Sequence, residues 1–174
     1  SGQVCSAGTR LIVEESVADR LVAAVAERAE RIVVGPGSDP DSRTGPLVSQ
    51  QQLDKIVEHV ASGQAEGARL VTGGRRLDDP DRDDPRLAPG YFYAPTVFDH
   101  CDRSMRIVQD ETFGPILTVE RFATEAQALE LANDTRYGLA GGVRTADPAR
   151  AERFARGMRH GTVWINDFGY YTPA

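Results

Sequence analysis

Residues 10–32 read RLIVEESVADRLVAAVAERAERI, and their patterning decides the fold class. Arg10-Leu11-Ile12-Val13-Glu14 is an apolar, partly β-branched run between charges, which predicts a short strand. From Ser16 to Ile32 the residues Val17, Leu21, Val25, Ala29 and Ile32 recur at helical spacing and predict a helix that buries that face. Ser16 with Asp19 three places on resembles a shorter-armed capping box at its start. A strand feeding directly into a helix is the unit of an α/β protein.

The alternation continues downstream. Residues 35–46, rich in glycine, proline, serine and aspartate, cannot extend a helix and form a loop. A second helix is expected over 49–66, with Leu53, Ile56, Val57 and Val60 on one face. Strands are expected at 68–72, 95–98 and 116–122, and a weaker one, diluted by two glycines, at 141–145. Thr124-Glu125-Ala126-Gln127 is a capping box that opens a helix through Leu129 and Ala132. Asp147-Pro148 sets an N-cap before a proline at the first helical position, where a missing N–H costs nothing. That helix should turn Ala151, Phe154, Ala155 and Met158 inward. Gly161-Thr162-Val163-Trp164-Ile165-Asn166 closes the series as a β-branched and aromatic strand. Residues 75–89 carry five aspartates, four arginines and three prolines. They lack the spacing, central glycine and terminal glutamate of a calcium loop, so a solvated excursion between strands is expected.

Composition narrows the function. The 174 residues carry 20 Lys+Arg against 26 Asp+Glu, a net charge of −6, which argues against a nucleic-acid partner. The longest apolar run, residues 21–26, falls far short of the roughly 18 residues that a membrane span needs. The first residues lack the basic start and apolar core of a secretion signal, and Cys5 and Cys101 make neither a CxxC nor a metal-ligand spacing. A single-domain, cytoplasmic protein with reduced cysteines is the expectation; no metal site is expected.

Three stretches could carry chemistry. Cys5 lies among small residues in Gly2-Gln3-Val4-Cys5-Ser6-Ala7-Gly8, where a ligand can approach closely. Locally it reads either as a nucleophile or as a small buried hydrophobe. Gln109-Asp110-Glu111-Thr112-Phe113-Gly114-Pro115 combines carboxylates with an aromatic ring and a rigid turn. Glu111 could accept hydrogen bonds from ribose hydroxyls while Phe113 packs on a flat heterocycle; the same pattern also fits a surface turn with a core phenylalanine. Gln52 and Lys55, three apart after Gly45-Pro46-Leu47-Val48, share a helical face that could meet a polar ligand or only solvent. His59, His100 and His160 have no partner at obvious spacing. A cysteine hydrolase or acyltransferase would need one of them beside Cys5 in space, and a non-catalytic module would leave Cys5 unreactive.

Taken together and in this order, these stretches resemble the NAD(P)-dependent aldehyde dehydrogenase superfamily. The cysteine segment is similar to its catalytic signature, residues 111–115 to its cofactor loop, and the Gln52/Lys55 segment to its cofactor-side helix. Gly90-Tyr91-Phe92-Tyr93-Ala94-Pro95-Thr96-Val97, Asn133-Asp134-Thr135-Arg136-Tyr137-Gly138-Leu139-Ala140 and residues 161–166 follow the family pattern as well. The resemblance covers essentially the whole chain. It implies a three-layer α/β/α catalytic domain with a mostly parallel sheet, Cys5 as the nucleophile toward an aldehyde, and NAD or NADP as hydride acceptor. It further implies that Glu111 and Phe113, with Gln52 and Lys55, serve the cofactor. Trp164 to Asn166 would support the site, and Phe168 to Tyr171 would help line the substrate entrance. Residues 166–174 are similar to betaine-aldehyde-type members, where Tyr170 and Tyr171 could face a quaternary ammonium group or equally be ordinary entrance packing; other aliphatic or amino aldehydes stand as the alternative substrates. The family's cofactor domain, general-base glutamate, oxyanion-hole asparagine and subunit-pairing tail would lie outside these 174 residues. The expectation is therefore a catalytic-domain fragment of a homo-oligomeric enzyme, dimer or tetramer, that does not turn over aldehyde by itself.

Overall fold

The computed structural model describes residues 1–169. Tyr170 and Tyr171, on which the cation-cage expectation rests, lie outside the described residues. Strand β1 (Arg10–Glu14) runs straight into helix α1 (Glu15–Glu30), as the opening stretch requires. The junction differs from expectation in two ways. Glu14 takes the N-cap position without a side-chain cap, and the Ser16 hydroxyl donates to the Glu14 carboxylate at 2.8 Å, so no Ser16–Asp19 box forms. With no linker between strand and helix, Ser16 already lies inside the first turn. The buried stripe is Ala18, Val22 and Ala26, while Val17, Leu21 and Ile32 stay partly exposed. Alanines at the contact let α1 lie close on the sheet, and the larger residues flank it.

The main sheet has the order β1-β4-β3-β2. Central β4 (Ile116–Phe122) pairs in parallel with β1, Arg10 opposite Thr118, and with β3 (Thr96–Asp99), Thr96 opposite Ile116. Edge strand β2 (Arg69–Thr72) is antiparallel to β3. Side chains alternate between the faces. Val13, Val97 and Val119 meet Ala18 and Val22 of α1. Phe98 and Ile116 meet the other layer: Leu53, Ile56 and Val60 of α2 (Gln50–Ala65), with Ile107 and Val108 of α3 (Arg106–Gln109). The result is a three-layer α/β/α arrangement with a mostly parallel sheet. Within α2, Val57 is partly exposed and His59 takes the buried place instead.

Helix α4 (Glu125–Asn133) packs against β1 and β4. A separate parallel pair, β5 (Ala140–Val143) and β6 (Thr162–Ile165), is connected by α5 (Pro148–Gly157). The caps on α4 and α5 form: Thr124 accepts from the Gln127 N–H and Asp147 from the Ala149 N–H. Residues 75–89 are more than a solvated excursion. Leu77, Leu87 and Phe92 build a small core of their own, closed by a paired Arg75–Asp83 contact at 2.7 and 2.8 Å. Among the described residues no group of histidines, cysteines or acids could hold a metal, and no helix is long and apolar enough to cross a membrane.

Candidate active site

The segment before β1 is bent, and glycine makes the bend possible. Gly2 has φ +71°, and a Cβ there would stand 2.1 Å from the Gly114 carbonyl oxygen, so only glycine lets the two loops touch. Gln3 fastens this segment to the start of α2: its side-chain oxygen accepts from the Val48 N–H at 3.0 Å and its amide donates to the Pro46 carbonyl at 3.4 Å. The Ala7 N–H donates to the Val4 carbonyl at 2.9 Å, which closes a turn across Cys5. Cys5 is exposed on that turn, and among the described residues its N–H has no acceptor. Cys101 is the opposite case: it is buried, and burial pushes its thiol up to about 12.

The acidic loop is held from beneath by α2. Gln52 donates to the carbonyls of Thr112 at 2.9 Å and Phe113 at 3.0 Å, and Lys55 donates to the carbonyl of Glu111 at 2.7 Å. Buried His59 contacts the Thr112 hydroxyl through Nδ1 at 3.2 Å. Burial, assisted by the charges of Arg106 and Lys55, lowers its pKa. Ser49 caps α2 by accepting from the Gln52 N–H, which places Gln52 at the helix start and directly below the loop. Phe113 sits at φ +56°, a left-handed conformation that a bulky residue keeps only when its surroundings impose it. The bonds from Gln52 and the close fit of Gly114 against Ile56 supply that constraint.

These two segments meet. Gly2, Val4, Cys5, Ala7 and Thr9 share a recess of about 30 Å³ with Glu111, Thr112 and Phe113. Cys5, Glu111 and Phe113 thus come together on one small space. Gln52 and Lys55 do not line it; they reach the same loop through its backbone. The volume suits one or two waters rather than a ligand, so the recess is the floor of a site and not its enclosure. An exposed thiol beside an unpaired N–H can add to an electrophilic carbonyl and hold the oxygen that becomes charged. Among the described residues no histidine hydrogen-bonds Cys5: His59 contacts Thr112, His100 stands beside Asp99, and the buried His160 Nδ1 has no partner. The cysteine–histidine pair that a thiol hydrolase needs is therefore not formed by these residues.

Strand β6 and its exit lie nearby. Asn166 clasps Thr145 through both backbone groups, at 2.9 and 3.0 Å. The Trp164 and Phe168 rings pack 4.8 Å apart, and the Phe168 ring lies against Gly8 and Gly142. Sequence reasoning passed over Gln3, His59 and Tyr137 as contributors. Tyr137, whose hydroxyl accepts from the Glu111 N–H at 3.2 Å, gave no signal beyond its place in a family-like stretch, because the contact spans 26 residues.

Comparison with known proteins agrees over the whole length. A family model described as "Aldehyde dehydrogenase family" matches residues 1–173. Betaine aldehyde dehydrogenase from Bacillus subtilis (strain 168) is 50% identical over 171 residues, which cover 98% of this chain and 34% of the relative. The 1.85 Å crystal structure of betaine aldehyde dehydrogenase from Staphylococcus aureus in complex with NAD+ superposes with a TM-score of 0.92 at 46% identity, covering 98% of this chain and 33% of that one. An apo form of a point mutant of the same enzyme, carrying a BME-modified cysteine, gives a TM-score of 0.91 at 47% identity, with the same coverage. The chain spans about a third of the length of the relatives it matches. With the family model, the sequence identity and the fold all in agreement, the chain belongs to the aldehyde dehydrogenase family.

Proposed function

We propose that this chain is the cysteine-bearing catalytic segment of an NAD(P)-dependent aldehyde dehydrogenase, with the cofactor-binding domain and the oligomerisation tail elsewhere in a longer enzyme. The observation that carries the reading is the recess that Cys5 shares with Glu111 and Phe113. The Cys5 thiolate adds to the aldehyde carbon; a C–S bond forms and the carbonyl electron pair moves to oxygen. The Cys5 N–H, unpaired among the described residues, stabilises that oxyanion together with a side-chain amide from outside these residues. A nicotinamide held beside this recess would supply the acceptor for the hydride of the thiohemiacetal carbon; Cys5 holds the acyl group through its sulfur, first as thiohemiacetal and then as the thioester that water hydrolyses to the carboxylic acid and free thiol.

The residues present fit such a cofactor. The Glu111 carboxylate is exposed and has no hydrogen bond or ion pair among the described residues, so it is free to accept from ribose hydroxyls. Half-buried Phe113 lines the same recess. Gln52 and Lys55 serve the cofactor by fixing the backbone that carries Glu111 and Phe113. NAD is favoured over NADP, because the S. aureus relative was crystallised with NAD+. The substrate reading is betaine aldehyde, supported by the names of the relatives. Phe168, beside Gly8, offers an aromatic face for the quaternary ammonium group. The reading includes a cytoplasmic, homo-oligomeric enzyme, dimer or tetramer, with neither nucleic acid nor membrane as partner.

The test uses the isolated chain and the longer enzyme in parallel. The isolated chain forms no NADH from betaine aldehyde, whereas the longer enzyme does and prefers it to an uncharged analogue of similar size. In that enzyme Cys5→Ala lowers kcat by at least about 10³-fold while NAD+ still binds. Sustained NADH formation by a folded Cys5→Ala enzyme would overturn the reading, and equal kcat/KM for the two aldehydes would remove the recognition of a cation.

A further inference from the structure

The Glu111 peptide is bonded on both sides by side chains from separate elements. Its carbonyl accepts from Lys55 of α2 at 2.7 Å, and its N–H donates to the Tyr137 hydroxyl, on the connection between α4 and β5, at 3.2 Å. Tyr137 is itself held in place. Arg136 donates to the same hydroxyl at 3.0 Å and to the Asp110 carboxylate at 2.8 Å, and its guanidinium lies 5.2 Å from the centre of the Tyr137 ring. Asp110, next to Glu111 in the chain, is also within 3.4 Å of Arg106. The peptides before and after the Glu111 side chain are therefore pinned, while the carboxylate has no partner among the described residues. A side chain left free on a doubly anchored backbone is the arrangement of a preorganised binding group, because its direction is set before any ligand arrives.

We propose that Tyr137, steadied by Arg136, is a positioning residue for Glu111: it fixes the peptide from which the carboxylate projects, and so governs the affinity for the diol of the cofactor's ribose. The proposal rests on the reading of Glu111 given above. Tyr137 does not line the recess that Cys5 shares with Glu111. Its effect is on cofactor binding and not on the attack by Cys5. The bonds from Gln52 and Lys55 hold the carbonyls of residues 111–113, whereas the Glu111 N–H is held by Tyr137.

The experiment compares Tyr137→Phe, Glu111→Gln and the double variant. Tyr137→Phe keeps the ring under Arg136 and removes only the accepting oxygen. In the 174-residue chain without cofactor, NMR should show faster exchange of the Glu111 amide in Tyr137→Phe, with the β1–β4 ladder unchanged. In the longer enzyme the Kd for NAD+ should rise about fivefold to tenfold, as expected for one lost hydrogen bond. The KM for aldehyde and the rate of Cys5 alkylation should change less than twofold. Glu111→Gln should weaken NAD+ at least as much, and the double variant should bind no worse than Glu111→Gln alone, because Tyr137 acts only through that carboxylate. If Glu111→Gln leaves NAD+ affinity intact, the assignment of Glu111 fails. If Glu111→Gln weakens binding and Tyr137→Phe does not, or if the two losses add, the positioning role is overturned. Should Tyr137→Phe not fold, Arg136→Met, on the exposed side, gives the same measurement with a smaller expected rise.

Discussion

The chain's two cysteines sit in opposite environments, and that contrast sets their chemistry. Cys5 stands on an exposed turn beside a recess, whereas Cys101 is buried, with its N–H on the Val119 carbonyl and its thiol pushed up to about 12. Alkylation requires both access and thiolate, and Cys101 has neither near neutral pH. Iodoacetamide at pH 7.5 should therefore add one group to the native chain, located on Cys5 by mass spectrometry of its peptides. Cys5→Ser should take up none until denaturant is added. Labelling of Cys101 at a comparable rate in the folded protein would contradict this packing. The left-handed Phe113 shows the same logic at the neighbouring loop: a costly backbone conformation is kept where Gln52 of α2 holds the carbonyls of Thr112 and Phe113.

At the scale of elements, much of the fold was legible because the relevant signals are local. The parallel strand at 116–122 matches its expected bounds, and the caps at Thr124 and Asp147 form as their sequence spacing implies. What sequence could not supply was geometry set by neighbours. The buried stripe of α1 is displaced by one residue from its apolar pattern, since packing on the sheet favours the small Ala18 and Ala26 over the larger Val17 and Leu21. The short α3 carries too few residues to show any period. In the candidate site, Cys5, Glu111 and Phe113 were legible through the family-like motifs, whereas the bonds from Tyr137 and His59 join residues far apart in the chain. The two helix starts give a direct test. Asp147→Ala removes a cap that accepts from the Ala149 N–H and should cost about 1 kcal/mol in urea unfolding. Ser16→Ala, whose hydroxyl bonds Glu14 instead of a helix N–H, should stay within about 0.5 kcal/mol. Equal losses for the two would mean that Ser16 caps α1 after all.

Across the whole molecule, two buried carboxylates tie the layers together, and their pKa values are shifted in opposite directions. Asp99, at the end of β3, accepts from Arg69 of β2 at 2.5 Å and Arg121 of β4 at 2.7 Å, and Arg121 continues to Asp19 and Glu15 of α1. Burial pushes Asp99 up, but the hydrogen bonds from Arg121 and Arg69 outweigh it and hold its pKa at about 2. On the opposite face Glu120 pairs with Arg10, which also donates to the Leu131 carbonyl of α4. There burial dominates and the pKa of Glu120 is raised. The signs follow from proton linkage. The depressed Asp99 contributes stability that is fully present above the ordinary aspartate range and is lost as pH falls toward 2. The raised Glu120 contributes stability in acid that is lost as pH rises through its folded value. For Asp99 the contribution at neutral pH is about 2 kcal/mol. Urea unfolding between pH 7 and pH 2.5 separates the two, because the slope against pH is independent of any fixed cost of substitution. Asp99→Asn should be less stable at pH 7 yet lose less on acidification than the unaltered chain. Glu120→Gln should lose more, since the opposing gain is gone. Parallel curves for all three proteins would show that neither carboxylate couples the packing of this sheet to pH.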